Sequence, residues 1–182
     1  MDAFSCAACP RRCGALRKPA QPSGGFCGMP AGFVVARAAL HQWEEPCISG
    51  QHGSGTVFFS GCSLRCVYCQ NQQISLGRYG ALVTEENLLR MFDRLIEQGA
   101  HNLNLVNPTH YAPMLAKALK KYCSPVPVIY NSGGYERVEM LKALEGLVDI
   151  YLPDLKYVDS AVSLRYSGAA DYFDYASKAI LE

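Results

Sequence analysis

Apolar and polar positions change rhythm several times along this chain, and each change marks an element. Thr56-Val57-Phe58-Phe59 is an unbroken apolar, β-branched and aromatic run, the pattern of a buried strand. Leu103 to Val106, Pro127-Val128-Ile129-Tyr130 and Val148-Asp149-Ile150-Tyr151-Leu152 read the same way. Between them the period becomes helical. Leu88, Leu89, Phe92, Leu95 and Ile96 recur at helical spacing behind Thr84, an N-cap, with Glu85 and Glu86 at the helix's positive end and Gly99 as the stop. Further helices are expected from about Ala112 to Tyr122 and around Val138 to Leu144, then a more broken helical region through Tyr166 and a last helix from about Tyr172. Strands alternating with helices imply right-handed crossovers and a parallel sheet, here four β-α units of an α/β fold. Upstream, Phe33-Val34-Val35-Ala36 is expected to be extended and His41 to Gly50 to be a loop. In that loop Trp43 is expected to be buried packing, the alternative being a cover over the cysteine site, and Cys47 a small buried residue or a fourth ligand to the cysteines that follow.

Composition narrows the classes. A chain of 182 residues, 49% of them apolar, suits one domain with a real core. No segment is long and uncharged enough to span a bilayer; the best, Phe33 to Leu40, is short and contains Arg37. Met1 to Cys13 has no apolar signal-peptide region, so the expected location is cytoplasmic, with no membrane partner. A net charge of +1 without a basic block gives no reason to expect nucleic acid. Nine cysteines in such a chain point to metal binding rather than disulfides.

The cysteines fall into two groups. Cys62, Cys66 and Cys69 follow the first parallel strand, so they occupy the loop at its end. Thiolates select zinc, copper or iron-sulfur centres. A 4Fe-4S cubane normally takes four cysteines, so three would leave one iron open to substrate; the other reading is a structural zinc site completed by a histidine such as His52. The second group is Cys6, Cys9, Cys13 and Cys27, in a stretch poor in apolar residues that cannot hold a core by itself. It reads as zinc or an auxiliary iron-sulfur cluster, which spacing does not separate, or as a tail whose cysteines hold nothing. The expected division is a Cys-rich extension at 1–32 and a core at 33–182.

The run Cys62-x3-Cys66-x2-Cys69, with Tyr68 just before the last cysteine, resembles the radical SAM superfamily motif. Gln70-Asn71 and the wider context from about His41 to Lys156 are similar to pyruvate formate-lyase activating enzyme-like (glycyl-radical-activating) proteins. The resemblance implies a partial TIM-like radical SAM barrel of six units. Four are counted here, and the sequence stops at Glu182 inside a helical pattern without a cap. A chain truncated after the fourth β-α unit is therefore expected, with an unpaired parallel edge.

The resemblance also implies a 4Fe-4S cluster on Cys62, Cys66 and Cys69, with S-adenosylmethionine (SAM) on the open iron. Reductive cleavage to a 5′-deoxyadenosyl radical would serve to activate a glycyl radical enzyme, with a flavodoxin- or ferredoxin-type electron donor. Tyr68 would lie near the adenine. Asn107-Pro108-Thr109 stands where relatives carry a Gly-Gly-Glu-type motif; the carboxylate is missing, leaving Asn107 and Thr109 as oxygen acceptors for the SAM ammonium. His110 beside them reads as a hydrogen-bonded loop histidine. Asn131-Ser132-Gly133-Gly134 matches an Asp-Thr-Asn-Gly motif, with glycines for close approach to a ligand and Asn131 in place of a cation-binding aspartate. Pro153-Asp154-Leu155-Lys156 resembles an Asp-Leu-Lys motif; alternation sends Asp154 and Lys156 the same way, with Lys156 available to the cofactor's carboxylate. Two rival readings remain, a non-catalytic metal-binding module and a radical SAM enzyme acting on a small molecule.

Overall fold

In chain order the elements are a short pair, β1 (Phe4–Ser5) and β2 (Leu16–Arg17), then β3 (Phe33–His41), α1 (Pro46–Ser49), β4 (Ser54–Phe59), α2 (Gln72–Ser75), β5 (Ala81–Val83), α3 (Glu85–Glu97) and β6 (Leu103–Val106). A 3-10 turn at Thr109–Tyr111 leads into α4 (Ala112–Leu119), followed by β7 (Val128–Ser132), α5 (Val138–Lys142), β8 (Ile150–Pro153), α6 (Ser160–Ser167) and α7 (Tyr172–Leu181). This is a computed structural model, and it describes residues 2–182.

Six strands form one sheet in the order β5-β3-β4-β6-β7-β8. The four predicted strands, β4, β6, β7 and β8, run parallel, and Val57, Leu105, Tyr130 and Tyr151 stand in one row across them. Their carboxyl ends therefore open on a common rim. The fold is α/β with a mostly parallel sheet.

The remaining strands depart from expectation. β3 continues to His41, well past Ala36, pairing antiparallel with β4 through a bulge between Val35 and Arg37. Beyond it β5 pairs antiparallel with Phe33–Val35. The far half of β3 and most of β5 are half-exposed or exposed, so backbone pairing holds them where apolar patterning does not reveal them. The predicted helices are present. Thr84 caps α3 by accepting from the Asn87 amide at 3.1 Å, and Asp159 caps α6 from the Val162 amide at 2.9 Å.

The main core gathers Phe33, Phe59, Leu88, Phe92, Leu103, Leu105, Tyr111 and Leu115 between the sheet and its helices, and Cys27 and Met29 of the extension belong to it. A second cluster joins Leu64 and Cys66 to Tyr135, Tyr157, Ala169, Tyr172 and Ala176. The loop after β4 thus rests on an apolar bed supplied by α7 and by the loops that follow β7, β8 and α6.

Candidate functional site

A cleft of about 860 Å³ opens at the carboxyl ends of the parallel strands. That size suits a drug-sized ligand. Its floor begins with the cysteine loop. Gly61 turns the chain off β4 at φ +79, where a Cβ would stand 2.6 Å from Met29 Cγ and 3.0 Å from the Cys27 carbonyl oxygen. The carbonyl of Ser60 accepts from His110 Nε2 at 2.8 Å and from Tyr111 OH at 3.2 Å, which fixes the loop's start. Burial and the charges of Arg17 and Arg65 lower the His110 pKa to about 3, so its buried ring is neutral; the ring does not line the cleft.

Cys62, Cys66 and Cys69 all line the cleft. Burial pushes the Cys62 thiol up, against the amides of Arg65 and Leu64; the Leu64 amide donates to its Sγ at 3.3 Å. Cys66 Sγ ends a chain of hydroxyls. Tyr68 OH donates to Tyr157 OH at 2.6 Å, Tyr157 to Ser167 Oγ at 2.6 Å, and Ser167 to Cys66 Sγ at 3.0 Å. Sulfurs that line a cleft and, at Cys62 and Cys66, accept from an amide and a hydroxyl fit thiolate ligands of a metal centre, because such donors stabilise sulfur's negative charge. Among the described residues no three Cys, His, Asp or Glu side chains converge at the radius of a single ion. Thiolates of a cubane each bind a different iron and need not do so.

The neighbouring loops supply the walls. Asn107, held at φ +59, reaches across to donate to the Gly61 carbonyl. Asn131, Ser132, Gly133, Asp154, Lys156 and Tyr68 complete the predicted set lining the cleft. Lys156 Nζ lies 2.6 Å from Asp154 Oδ2. Burial opposes the lysine's charge, but that bond, with Cys66 and Tyr68 beyond it, raises its pKa overall.

Thr109 departs from expectation. The 3-10 turn folds it under the floor, 2% exposed, where its hydroxyl donates to Glu136. Glu136 is itself buried, and it also accepts from Tyr130 OH at 3.2 Å. Burial pushes its pKa up to about 7, against hydrogen bonds from Thr109, Ser132 and Tyr130. A carboxyl raised in this way leaves the fold fully stable below its unfolded pKa and costs stability as pH rises through about 7, by roughly 3 kcal/mol at the alkaline limit. Urea midpoints are therefore expected to fall between about pH 5 and about pH 8, and Glu136→Gln to flatten the fall; an equally steep profile in the variant would contradict this.

Other residues were not legible in advance. Trp43 is 88% exposed on the cleft's edge, not buried. Glu44 and Glu45 beside it also line the cleft, and Glu44 Oε2 lies 3.4 Å from Asn131 Nδ2. Burial raises the Glu44 pKa; His41 opposes this and Glu45 adds to it. The acidic pair in Trp43-Glu44-Glu45-Pro46 was the available signal, because the chain lacks a carboxylate after its second parallel strand.

Two expectations are corrected. Cys47 is exposed and His52 meets His101 through its backbone amide at 3.2 Å, both at the end of β4 away from the cysteine loop. Cys47 and His101 border a separate cavity of about 320 Å³ there. Six residues of strand, on the order of 20 Å, separate that end from Cys62, so neither residue can join the triad. Of the N-terminal group, Cys6, Cys9 and Cys27 are buried and Cys13 is exposed. No helix among the described residues is long and apolar enough to cross a membrane.

Comparison with known proteins adds a family. The model of the radical SAM superfamily matches residues 56–180. Among curated proteins, an uncharacterized protein of Methanocaldococcus jannaschii is 30% identical over 178 residues, covering 93% of this chain and 51% of that protein. The chain spans about half the length of the curated relative it matches.

Proposed function

Since the chain belongs to the radical SAM superfamily, we propose that Cys62, Cys66 and Cys69 hold a 4Fe-4S cluster in the cleft and that the whole protein is a glycyl-radical-activating enzyme. The observation carrying this reading is that the three cysteines share one cleft with Asn131 and Lys156. When bound, the cluster would pass one electron to SAM, a chemistry that would release methionine and supply a radical able to take hydrogen from a substrate C–H bond.

This chain's residues bind and orient. The Ser167 hydroxyl on Cys66 Sγ draws electron density from that sulfur, and Tyr157 and Tyr68 hold Ser167 in line. Lys156 offers its ammonium to the carboxylate of SAM, with Asp154 fixing Nζ toward the cleft. Glu44, Asn107 and Asn131 offer oxygen acceptors to the SAM ammonium, and Tyr68 a ring face to adenine. The exposed Trp43 at the cleft's edge gives a partner protein an aromatic contact, which favours a glycyl radical enzyme over a small substrate. The electron donor in this reading is a flavodoxin or ferredoxin.

Anaerobic reconstitution with iron and sulfide, followed by dithionite and SAM, is expected to yield 5′-deoxyadenosine, and a partner glycyl radical enzyme should then show a glycyl radical signal. Absence of 5′-deoxyadenosine from cluster-loaded protein would overturn the enzyme reading. Product without a glycyl signal on any partner would favour a small-molecule substrate, and zinc in place of iron at the triad a non-catalytic module. Lys156→Met removes the cation and leaves Asp154 facing the cofactor's carboxylate, so the Kd for SAM is expected to rise roughly tenfold or more by equilibrium dialysis. An unchanged Kd would remove Lys156 from the binding set.

A further inference from the structure

Arg11 belongs to the N-terminal extension, yet its guanidinium is spent on the cysteine loop and on the helix behind it. Its Nε donates to the Ser63 carbonyl at 2.8 Å, one terminal nitrogen to the Ser167 carbonyl at 2.6 Å and the other to the Gly168 carbonyl. Ser63 stands between the first two cysteines of the triad, while Ser167 and Gly168 lie at the end of α6. The fork thus sets the spacing between two segments distant in sequence. Its donors lie in one rigid plane, which a lysine ammonium does not reproduce. The site taken is also one that favours a cation, since a helix leaves its last carbonyls unpaired and carries its negative end there. In the same turn the Tyr166 carbonyl accepts from the Val67 amide at 2.9 Å, a second tie between α6 and the triad loop.

Arg11 is itself held in place. The Cys6 amide donates to the Ala15 carbonyl at 3.0 Å, the Gly14 amide to the Cys6 carbonyl at 3.1 Å and the Arg12 amide to the Cys9 carbonyl at 3.0 Å, closing the turn that presents it. The rings of Phe26 and Tyr135 lie 4.0 and 5.4 Å from the guanidinium carbon, a favourable arrangement for a cation. Among the described residues no carboxylate forms an ion pair with Arg11. Its bonding is therefore directed at backbone carbonyls, and those carbonyls decide where their residues sit.

Ser167 is the residue whose hydroxyl donates to Cys66 Sγ at 3.0 Å. Tyr157 orients that hydroxyl at 2.6 Å, and Arg11 places the backbone that bears it. We propose that Arg11 is a positioning residue for the triad: by holding the Ser63 and Ser167 carbonyls it keeps the Ser167 hydroxyl on Cys66 Sγ and so raises the reduction potential of the bound cluster. The inference rests on the assignment of a 4Fe-4S cluster to Cys62, Cys66 and Cys69. A hydrogen bond to a ligating sulfur favours the more electron-rich, reduced state, which is why its loss lowers the potential.

The test is a potential titration of the reconstituted protein without SAM, followed by electron paramagnetic resonance, so it needs no turnover. Arg11→Lys keeps the charge and loses the fork. Its cluster is expected to form with a more negative potential, the ratio of reduced to oxidised cluster at a fixed ambient potential falling roughly threefold or more, about 30 mV for one electron. Ser167→Ala should shift the potential the same way, and adding Arg11→Lys to it should change nothing further, because no hydroxyl is left to place. Where Arg11→Lys does not fold, Phe26→Leu serves instead: it withdraws the stacked ring, keeps all three donated bonds, and should give a smaller shift of the same sign that Ser167→Ala again abolishes. An unchanged potential in a loaded, folded variant, or shifts that add in the double variant, would overturn the proposal and leave the cluster assignment standing. An unsubstituted chain that takes up no iron and sulfide at the triad would overturn that assignment, and this inference with it.

Discussion

Cys66→Ala is expected to abolish both the broad charge-transfer absorbance of the reconstituted cluster and SAM cleavage, with 5′-deoxyadenosine formation falling by on the order of a thousandfold or more. Cys66 is buried at 7% exposure in the bed formed by Leu64, Tyr157, Ala169 and Tyr172, with Ser167 donating to its sulfur at 3.0 Å. Losing one sulfur from that bed leaves a small gap, and the Ser167 hydroxyl loses only a weak acceptor. Unfolding free energy is therefore expected to change by about 1 kcal/mol or so, measured by urea midpoint. The effect on chemistry is of another order, because two remaining thiolates cannot hold three irons. Ser167→Ala separates the two contributions: the cluster should form, with a shifted reduction potential and a modest loss of rate. Retention of absorbance and cleavage in Cys66→Ala would mean that the ligands are misassigned.

What could be read in the chain follows the range of the interactions involved. Three of the four parallel strands were legible because each is an apolar run buried in the sheet, β8 because its run stays apolar although it lies half-exposed at the sheet's edge, and α3 because its cap, its acidic first turn and its apolar spacing agree locally. The second half of β3 was not. Arg37 to His41 alternates weakly, and its place comes from the ladder to β4, whose other strand lies across the α1 connection. Trp43 shows the limit of composition: a large apolar residue is usually buried, yet here its loop passes over an open cleft.

The site divides in the same way. Cys62, Cys66 and Cys69 lie within eight residues, so spacing alone reveals them. Ser167 reaches Cys66 across 101 residues, and Glu44 meets Asn131 across 87, so neither contact leaves a local mark. Thr109 failed for a conformational reason. Asn107 at φ +59 reverses the chain toward Gly61, and the turn that follows carries Thr109 beneath the floor to Glu136. A residue's loop was legible; the direction of its side chain was not.

Gly134→Ala is expected to be the most damaging single change at the cleft outside the cysteines. The glycine pair was expected to admit a ligand, but at Gly134 the close neighbour is the protein's own next loop. With φ +74, an added Cβ would stand 2.2 Å from the Asp154 carbonyl oxygen and 3.1 Å from Tyr172 OH. The left-handed conformation alone costs about 1–2 kcal/mol for an alanine. The contact is with backbone, so it is relieved only by moving the loop after β8. That loop is held by Tyr172, whose hydroxyl hydrogen-bonds with the carbonyls of Gly133 and Asp154 at 2.8 Å each and accepts from the Lys156 amide at 2.9 Å. Displacing Asp154 breaks this junction and carries Lys156 away from the cleft. A loss of at least about 3 kcal/mol in urea unfolding is expected, with SAM binding lost in whatever protein remains folded. Gly133→Ala is the control. Its Cβ would meet Leu64 Cδ1 at 2.9 Å and Lys156 Cε at 3.4 Å, both side-chain atoms that can turn aside. It should cost about 1 kcal/mol or less and weaken SAM binding only moderately. If the two variants behave alike, the Tyr172 junction does not position the lysine.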